Sequence, residues 1–395
     1  MIGRIKSEIT LWRSITAIIF VTGIYATYLR FFVGFRASTN LSDQMPWGLW
    51  VGLGTLCGIG LSAAGFGISA AVYLLNMERY RPILRVSILI SFLGYMTVCA
   101  GYLYEIGLPW RFWHPIVMWN HRSVLFDVCV CIMTYTTVLT FEFAPAVIEK
   151  LPWRRLRDTL LHFHHKILIG VVLAGVLLSS MHQSYLGGLY LIARGKVHPL
   201  WYSQYMHAMF YLSAIPAGLA LVVMAIYLSM RSLNVHIDIG ILSDCGRMIQ
   251  LLLIVLAFFK VLDLAANRAW SYAFQRTSEA GYFWLEMLLF LVIPIILLSR
   301  QHVRSNPEKL YWSCAIVVAG FMVNRLNVSI NALQSAMETH YVPKWTELAS
   351  SVLVIAAGII AFRYAVINLD ILPKAPRVPK GFTRWMSNGG FPSQA

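Results

Sequence analysis

Apolar residues dominate ten stretches of the chain, at about 14–35, 47–76, 84–107, 116–147, 160–190, 203–230, 248–272, 281–300, 311–332 and 347–369. Each is near or above the ~20 residues that a helix needs to cross a bilayer, and only short polar loops separate them. The pattern predicts an all-α integral membrane protein with about ten transmembrane helices, a single polytopic domain over 1–395. Hydropathy divides the middle eight into two four-helix bundles, helices two to five (47–190) and six to nine (203–332), with a break near 231–247. The first and last spans flank them. From Pro373 the chain turns polar; 373–395 holds four prolines and four basic residues and is expected to extend on the membrane surface as a cytoplasmic tail.

Composition agrees. Of 395 residues 58% are hydrophobic and 12% charged, against about 25% charged in a soluble domain. The net charge of +15 does not suggest nucleic acid, because Lys and Arg lie between the apolar runs, where they orient helices and meet anionic lipid. Alternate loops are unequal. One set holds Arg4, Lys6, Arg13, Arg79, Arg81, Arg85, Lys150, Arg154, Arg155, Arg157, Arg300, Arg304 and Lys309, besides the basic tail, while the other is sparser. Both termini are therefore expected on the cytoplasmic side of a multi-pass protein, in the inner membrane if the source is bacterial. The N-terminal segment has no small-residue cleavage site and is expected to be a retained span. The sparse side carries Pro46-Trp47, Pro109-Trp110, Pro343-Trp345 and His198-Pro199-Leu200-Trp201, an interfacial aromatic belt or a rigid docking surface.

Six cysteines show neither CxxC nor CxxCH spacing, so neither c-type haem attachment nor an Fe–S or zinc ligand set is expected. No histidine pair has the spacing of a bis-histidine haem site in a membrane bundle. Helix two is rich in glycine, which in lipid lets backbones approach closely.

Ionisable residues inside spanning helices are costly and usually functional. The run 120–147 carries Asp127 near one end and Glu142 near the other. With the orientation above, Glu105, Asp127, His182 and His207 converge on the outer third of the membrane, with Arg122, Gln183 and Ser184 nearby. Groups that accept and release protons at that depth suit oxidation or reduction of a quinone. Thr134, Tyr135, Thr136, Thr137 and Thr140 lead from there to Glu142 and form a candidate proton path, unless the threonines bond back to their own helix. An ion pair of Glu142 with Lys150 or Lys166 is the ordinary alternative. In the second bundle Lys260, Asp263 and Arg325 are expected to neutralise one another.

Pro46-Trp47-Gly48-Leu49-Trp50, Ser123-Val124-Leu125-Phe126-Asp127, Glu142-Phe143-Ala144-Pro145-Ala146, Met181-His182-Gln183-Ser184 and Lys196-Val197-His198-Pro199-Leu200-Trp201, in this order, resemble the NrfD/PsrC family of polysulfide reductase membrane subunits. HybB-type subunits of quinone-linked Ni-Fe hydrogenases are the most similar. The resemblance implies a haem-free and metal-free membrane subunit of an oxidoreductase complex, binding menaquinone or ubiquinone near the periplasmic face. It also implies a ferredoxin-like Fe–S subunit beside a periplasmic hydrogenase, molybdopterin or multihaem cytochrome partner. Carried onto this chain, it makes Asp127, His182 and Glu105 the proton-exchanging residues and Trp47 a pocket wall, with Arg122, Gln183 and Ser184 around them. The family often has Asp-x-Gly-Arg where this chain reads Glu105-Ile106-Gly107-Leu108, so the arginine is missing and Arg111 is the available substitute. A proton-coupled transporter and a purely structural anchor are the alternatives.

Overall fold

The computed structural model describes residues 11–120, 122–193, 195–233, 235 and 237–373. The tail from Lys374, with Arg4, Lys6 and Arg194, lies outside the described residues. Ten helices are long and apolar enough to cross a membrane: α1 Arg13–Val33, α2 Trp50–Leu74, α3 Glu78–Glu105, α4 Leu125–Ile148, α5 Arg154–Leu191, α6 Met206–Ser232, α7 Ile239–Ala266, α8 Ser278–Ser299, α9 Pro307–Ala336 and α10 Trp345–Asn368. No strand occurs among the described residues. The protein is thus an all-α, multi-pass membrane protein.

Helix ends differ from the apolar pattern where polar residues belong to helix turns that project beyond the hydrocarbon. α5 has 38 residues, about 57 Å at 1.5 Å per residue, and its first turns carry Arg154, Arg155, Arg157 and Asp158. α7 begins at Ile239 because Asp238 caps it, its carboxylate accepting from Gly240 N–H at 3.0 Å. Asp244 then pairs with Arg79 at 2.8 Å. α4 begins later than the apolar run suggests, since His114–Val117 forms a separate turn and Ser123 is the cap.

Apolar packing forms two large clusters divided by depth, each drawing on both groups of helices, besides a small third one of Ala63, Phe66 and Ala214. One, toward Glu142, contains Leu89, Ile226, Ile249 and Phe321; the other, toward Glu105, contains Leu56, Tyr135, Phe210 and Phe283. The glycines of α2 let neighbours in, as expected. A methyl group at Gly60 would overlap the Phe321 ring, and one at Gly65 the Ser91 side chain. Several helices widen locally into π turns, at Trp50–Cys57, Met287–Val292 and Asn327–Asn331 among others. The turn in α8 has a direct cause: Pro294 has no N–H for the carbonyl four residues earlier.

Candidate functional site

A cavity of about 210 Å³ lies at the Glu105 end of the molecule. Its wall includes Trp47 from the segment before α2, Thr55 from the π turn of α2, Tyr102 and Glu105 from α3, Leu125 and Val128 from α4, and Tyr190 from α5. The Pro46-Trp47-Gly48 corner is held from outside the cavity. The Tyr341 hydroxyl accepts from Leu49 N–H at 2.9 Å and donates to Glu347 at 2.8 Å. Gly48 must lack a side chain because the Tyr341 ring occupies that space. Trp47 meets the Tyr190 ring edge-on, 5.6 Å between centroids.

One polar group, the Glu105 carboxylate, faces this largely apolar enclosure, and a second lies buried within its wall. Glu105 Oε1 accepts from the Thr55 hydroxyl at 2.8 Å. The Tyr190 hydroxyl is buried and has no hydrogen-bond partner, an arrangement found in only a small minority of buried polar groups. An aromatic wall with one carboxylate and one spare hydroxyl matches the general make-up of small-molecule sites. It would accept a flat ring bearing carbonyl oxygens.

The turn that carries Glu105 is anchored by a residue that sequence reasoning missed. Arg30, 3% exposed near the end of α1, donates through Nε to the Tyr104 carbonyl at 2.8 Å and through its terminal nitrogen to the Ile106 carbonyl at 2.5 Å. A guanidinium there satisfies the free carbonyls and opposes the negative end of the α3 dipole. Arg111, the expected substitute for the family's missing arginine, is instead exposed. The available signal was an arginine inside the first apolar run.

The other expected residues are spread along α4 and α5. Asp127 is half-buried in the first turn of α4, beside Leu125 and Val128 but not on the cavity wall. Arg122 is exposed before it. His182 is fully buried, with Nδ1 3.0 Å from the Tyr95 hydroxyl and Nε2 without a partner. Gln183 donates to the Ile59 carbonyl at 2.9 Å and leaves its own Oε1 unpaired. Ser184 is half-buried. Tyr135 stands edge-on to Tyr95 at 4.6 Å, and its hydroxyl and that of Ser179 also lack partners. Thr137 and Thr140 bond back to Met133 and Thr136, at 2.9 and 2.8 Å.

Glu142 is buried and accepts from Ser69. It forms no ion pair with Lys150 or Lys166 among the described residues; Lys150 pairs with Asp370 at 2.7 Å. Glu142 instead borders a larger cavity, about 770 Å³, at its own end of the molecule, with Arg81, Arg85, His164 and Asp370.

The expected mutual pairing of Lys260, Asp263 and Arg325 is not what the structure shows. Lys260 donates to the Leu200 carbonyl at 3.0 Å, and Asp263 accepts from Ser203 and Asn267 at 2.5 and 2.9 Å. Arg325 donates to Asn324 Oδ1 at 2.6 Å and to Ser213 at 2.8 Å, with its guanidinium 3.8 Å from the Phe210 ring centroid. Glu286 of α8 is the centre of this region and accepts from Trp201, Asn324 and Asn327. Among the described residues no group of three or more His, Cys, Asp or Glu side chains is arranged to hold a metal ion.

Fold and site together define a polytopic helical membrane protein with an aromatic cavity near one membrane surface. The chain belongs to the family described as polysulphide reductase, NrfD, whose model matches residues 37–336. It is 34% identical over 382 residues to a protein of Nitratidesulfovibrio vulgaris, covering 94% of this chain and 97% of that one. It is 30% identical over 349 residues to the probable Ni/Fe-hydrogenase 2 b-type cytochrome subunit of Escherichia coli (strain K12), covering 87% and 88%. Identity to the menaquinone reductase integral membrane subunit of Nitratidesulfovibrio vulgaris is 26% over 396 residues, 93% of each chain.

Proposed function

We propose that this chain is the quinone-reactive membrane subunit of a multisubunit respiratory oxidoreductase, exchanging electrons between a partner outside the membrane and the quinone pool. The observation that carries the reading is the unpartnered Tyr190 hydroxyl in the same cavity wall as the Glu105 carboxylate. A quinone presents carbonyl oxygens that need donors, and oxidation of a quinol releases two electrons and two protons. Tyr190 would orient a ring carbonyl, and Glu105 would take or return a proton while Thr55 holds it in place. Trp47 and Tyr102 bound the ring. Asp127 and His182, on the adjoining helices, exchange protons with the site, with Gln183 and Ser184 beside the histidine and Arg122 tuning the local field. Menaquinone is favoured over ubiquinone by the similarity to a menaquinone reductase subunit.

The electrons would be exchanged through a ferredoxin-like Fe–S subunit with a periplasmic hydrogenase, molybdopterin or multihaem cytochrome partner. Supporting that orientation in a bacterial cytoplasmic membrane, Arg79, Arg81, Arg85, Lys150, Arg154, Arg300 and Arg304 all flank the Glu142 ends of the helices, the side that positive charge marks as cytoplasmic. Proton coupling would run from the site through His182, Tyr95 and Tyr135 to Glu142 and the larger cavity. Buried hydroxyl and imidazole groups without protein partners are ordinarily bridged by water, which also conducts protons. Thr140 contributes at most through its backbone-bonded hydroxyl.

Quinol-dependent activity of the purified complex tests the site. Removing a general acid–base group costs about 10²–10⁴ in rate, so Glu105→Gln should lose activity on that scale and Tyr190→Phe should raise KM for quinol. Wild-type activity in both variants rejects the site. Cavities at opposite ends also suit a proton-coupled transporter, which would work without a redox partner; an inert anchor would tolerate both substitutions.

A further inference from the structure

The connection between α3 and α4 exposes an unusual amount of apolar surface. Trp110, Phe112, Ile116, Val117, Met118 and Trp119 are each 54–68% exposed. Scattered exposed apolar residues need no explanation, but a contiguous patch marks an interaction surface. The segment is not a slack loop that could fold them inward. Pro109 opens a tight turn through Arg111, and Pro115 lies in a second turn, His114–Val117. The Trp119 indole N–H donates to the Ile116 carbonyl at 2.8 Å and its ring meets the Phe126 ring 6.3 Å away, while most of the side chain stays exposed.

Charge on the segment has one sign. From Ile106 to Phe126 the sequence contains Arg111 and Arg122 but neither Asp nor Glu, and both arginines are exposed. The surroundings are apolar as well: Phe32 and Val33 at the end of α1 are 80% and 57% exposed, and Leu125 at the start of α4 is 50% exposed. Tryptophan, proline-stiffened turns and exposed arginine between two spanning helices are the chemistry of a segment lying in the headgroup layer.

We propose that residues 108–119 are seated in the lipid interface at the Glu105 end, with Arg111 and Arg122 bound to anionic phospholipid headgroups. The segment runs from Glu105 and Ile106 on one wall of the cavity to Leu125 and Val128 on another. It therefore links two walls of the cavity in sequence. The membrane seat stands on its own; only its value to a lipid-soluble ligand rests on the quinone reading.

Val117→Cys, carrying a nitroxide, tests this in full-length protein reconstituted in nanodiscs with its copurifying subunits. The native thiols are buried or half-buried, and unsubstituted protein supplies the labelling background. Collision with oxygen should exceed collision with a water-soluble nickel chelate, as at the headgroup boundary. The label should move deeper as phosphatidylglycerol replaces phosphatidylcholine. Each arginine contributes roughly fivefold to affinity for an anionic surface, so adding Arg111→Ala and Arg122→Ala should abolish that shift. A label open to the nickel chelate overturns the proposal. So does a label shielded from both quenchers only when the subunits are attached, which would make the patch a protein interface. A label at lipid depth that does not respond to phosphatidylglycerol overturns the headgroup assignment. No quinol activity in the unsubstituted complex, with the lipid signature intact, would instead reject the quinone reading alone.

Discussion

The Trp201 indole N–H donates to the Glu286 carboxylate at 2.8 Å, joining the loop before α6 to the interior of α8. Asn324 and Asn327 of α9 donate to the same carboxylate at 2.7 and 2.8 Å. Asn324 in turn accepts from Arg325, so carboxylate and guanidinium are coupled through an amide between them. Breaking a buried charged network by removing one partner costs about 3–5 kcal/mol, and three donors would also lose their acceptor. Glu286→Ala should therefore lower the melting temperature in detergent substantially, while Glu286→Gln, which keeps the shape, should cost less. Equal melting of Ala and Gln variants would contradict this account.

Glycine positions on the helices separate into two kinds. At Gly320 of α9 a methyl group would come within 2.5 Å of the α8 backbone at Phe290, where no side chain can yield. Gly320→Ala should force α8 and α9 apart at a cost of about 1–3 kcal/mol. At Gly170 of α5 nothing lies within 4 Å, and Gly170→Ala should be neutral or slightly stabilising. Thermal denaturation of the pair in one detergent measures the contrast.

His198 makes the loop before α6 sensitive to acid. Its Nδ1 accepts from Leu200 N–H at 3.3 Å, which requires that nitrogen to be unprotonated. Partial burial holds its pKa below the ordinary value, opposed by the charge of Glu279. Between about 6.5 and that lower value the unfolded loop binds more protons than the folded one, so stability falls as pH falls through this window. Hydrogen exchange at the Leu200 amide should accelerate beyond the intrinsic rate change on going from neutral pH to acid below 6. His198→Asn, which accepts without titrating, should remove the effect.

Span number, helical class and most chemistry-bearing residues were legible because a bilayer imposes length and polarity directly on sequence. Trp47 and Glu105 could be named from motif and depth, and they do share a cavity. Asp127 and His182 could be assigned to the right helices but not to the cavity wall, because depth fixes position along a helix and says little about its rotation. Tyr190 belongs to no motif read from the sequence; only packing shows its hydroxyl buried and unpaired. Thr137 and Thr140 of α4 satisfied themselves locally, as hydroxyls in apolar helices do, while Thr136 meets Cys99 of α3. Lys260, Asp263 and Arg325 seemed natural partners by charge, yet backbone carbonyls, serine and asparagine side chains serve each separately.

Arg30 gives the most direct test of how the Glu105 turn is held. Its two donors fork across the carbonyls of Tyr104 and Ile106, and its guanidinium lies 4.8 Å from the Phe35 ring centroid. A lysine retains the charge but lacks the rigid fork and the planar stacking surface. Arg30→Lys should leave the complex assembled with a modest loss of stability, about 1–3 kcal/mol for charge-assisted hydrogen bonds weakened. Because Glu105 follows Tyr104 directly, a loosened turn displaces the carboxylate that Thr55 holds. The quinone reading then expects kcat for quinol oxidation to fall and Thr55→Val to add little in the Arg30→Lys background, since both act on one group. Fully additive losses from Arg30→Lys and Thr55→Val would show that Arg30 supports the fold without positioning Glu105.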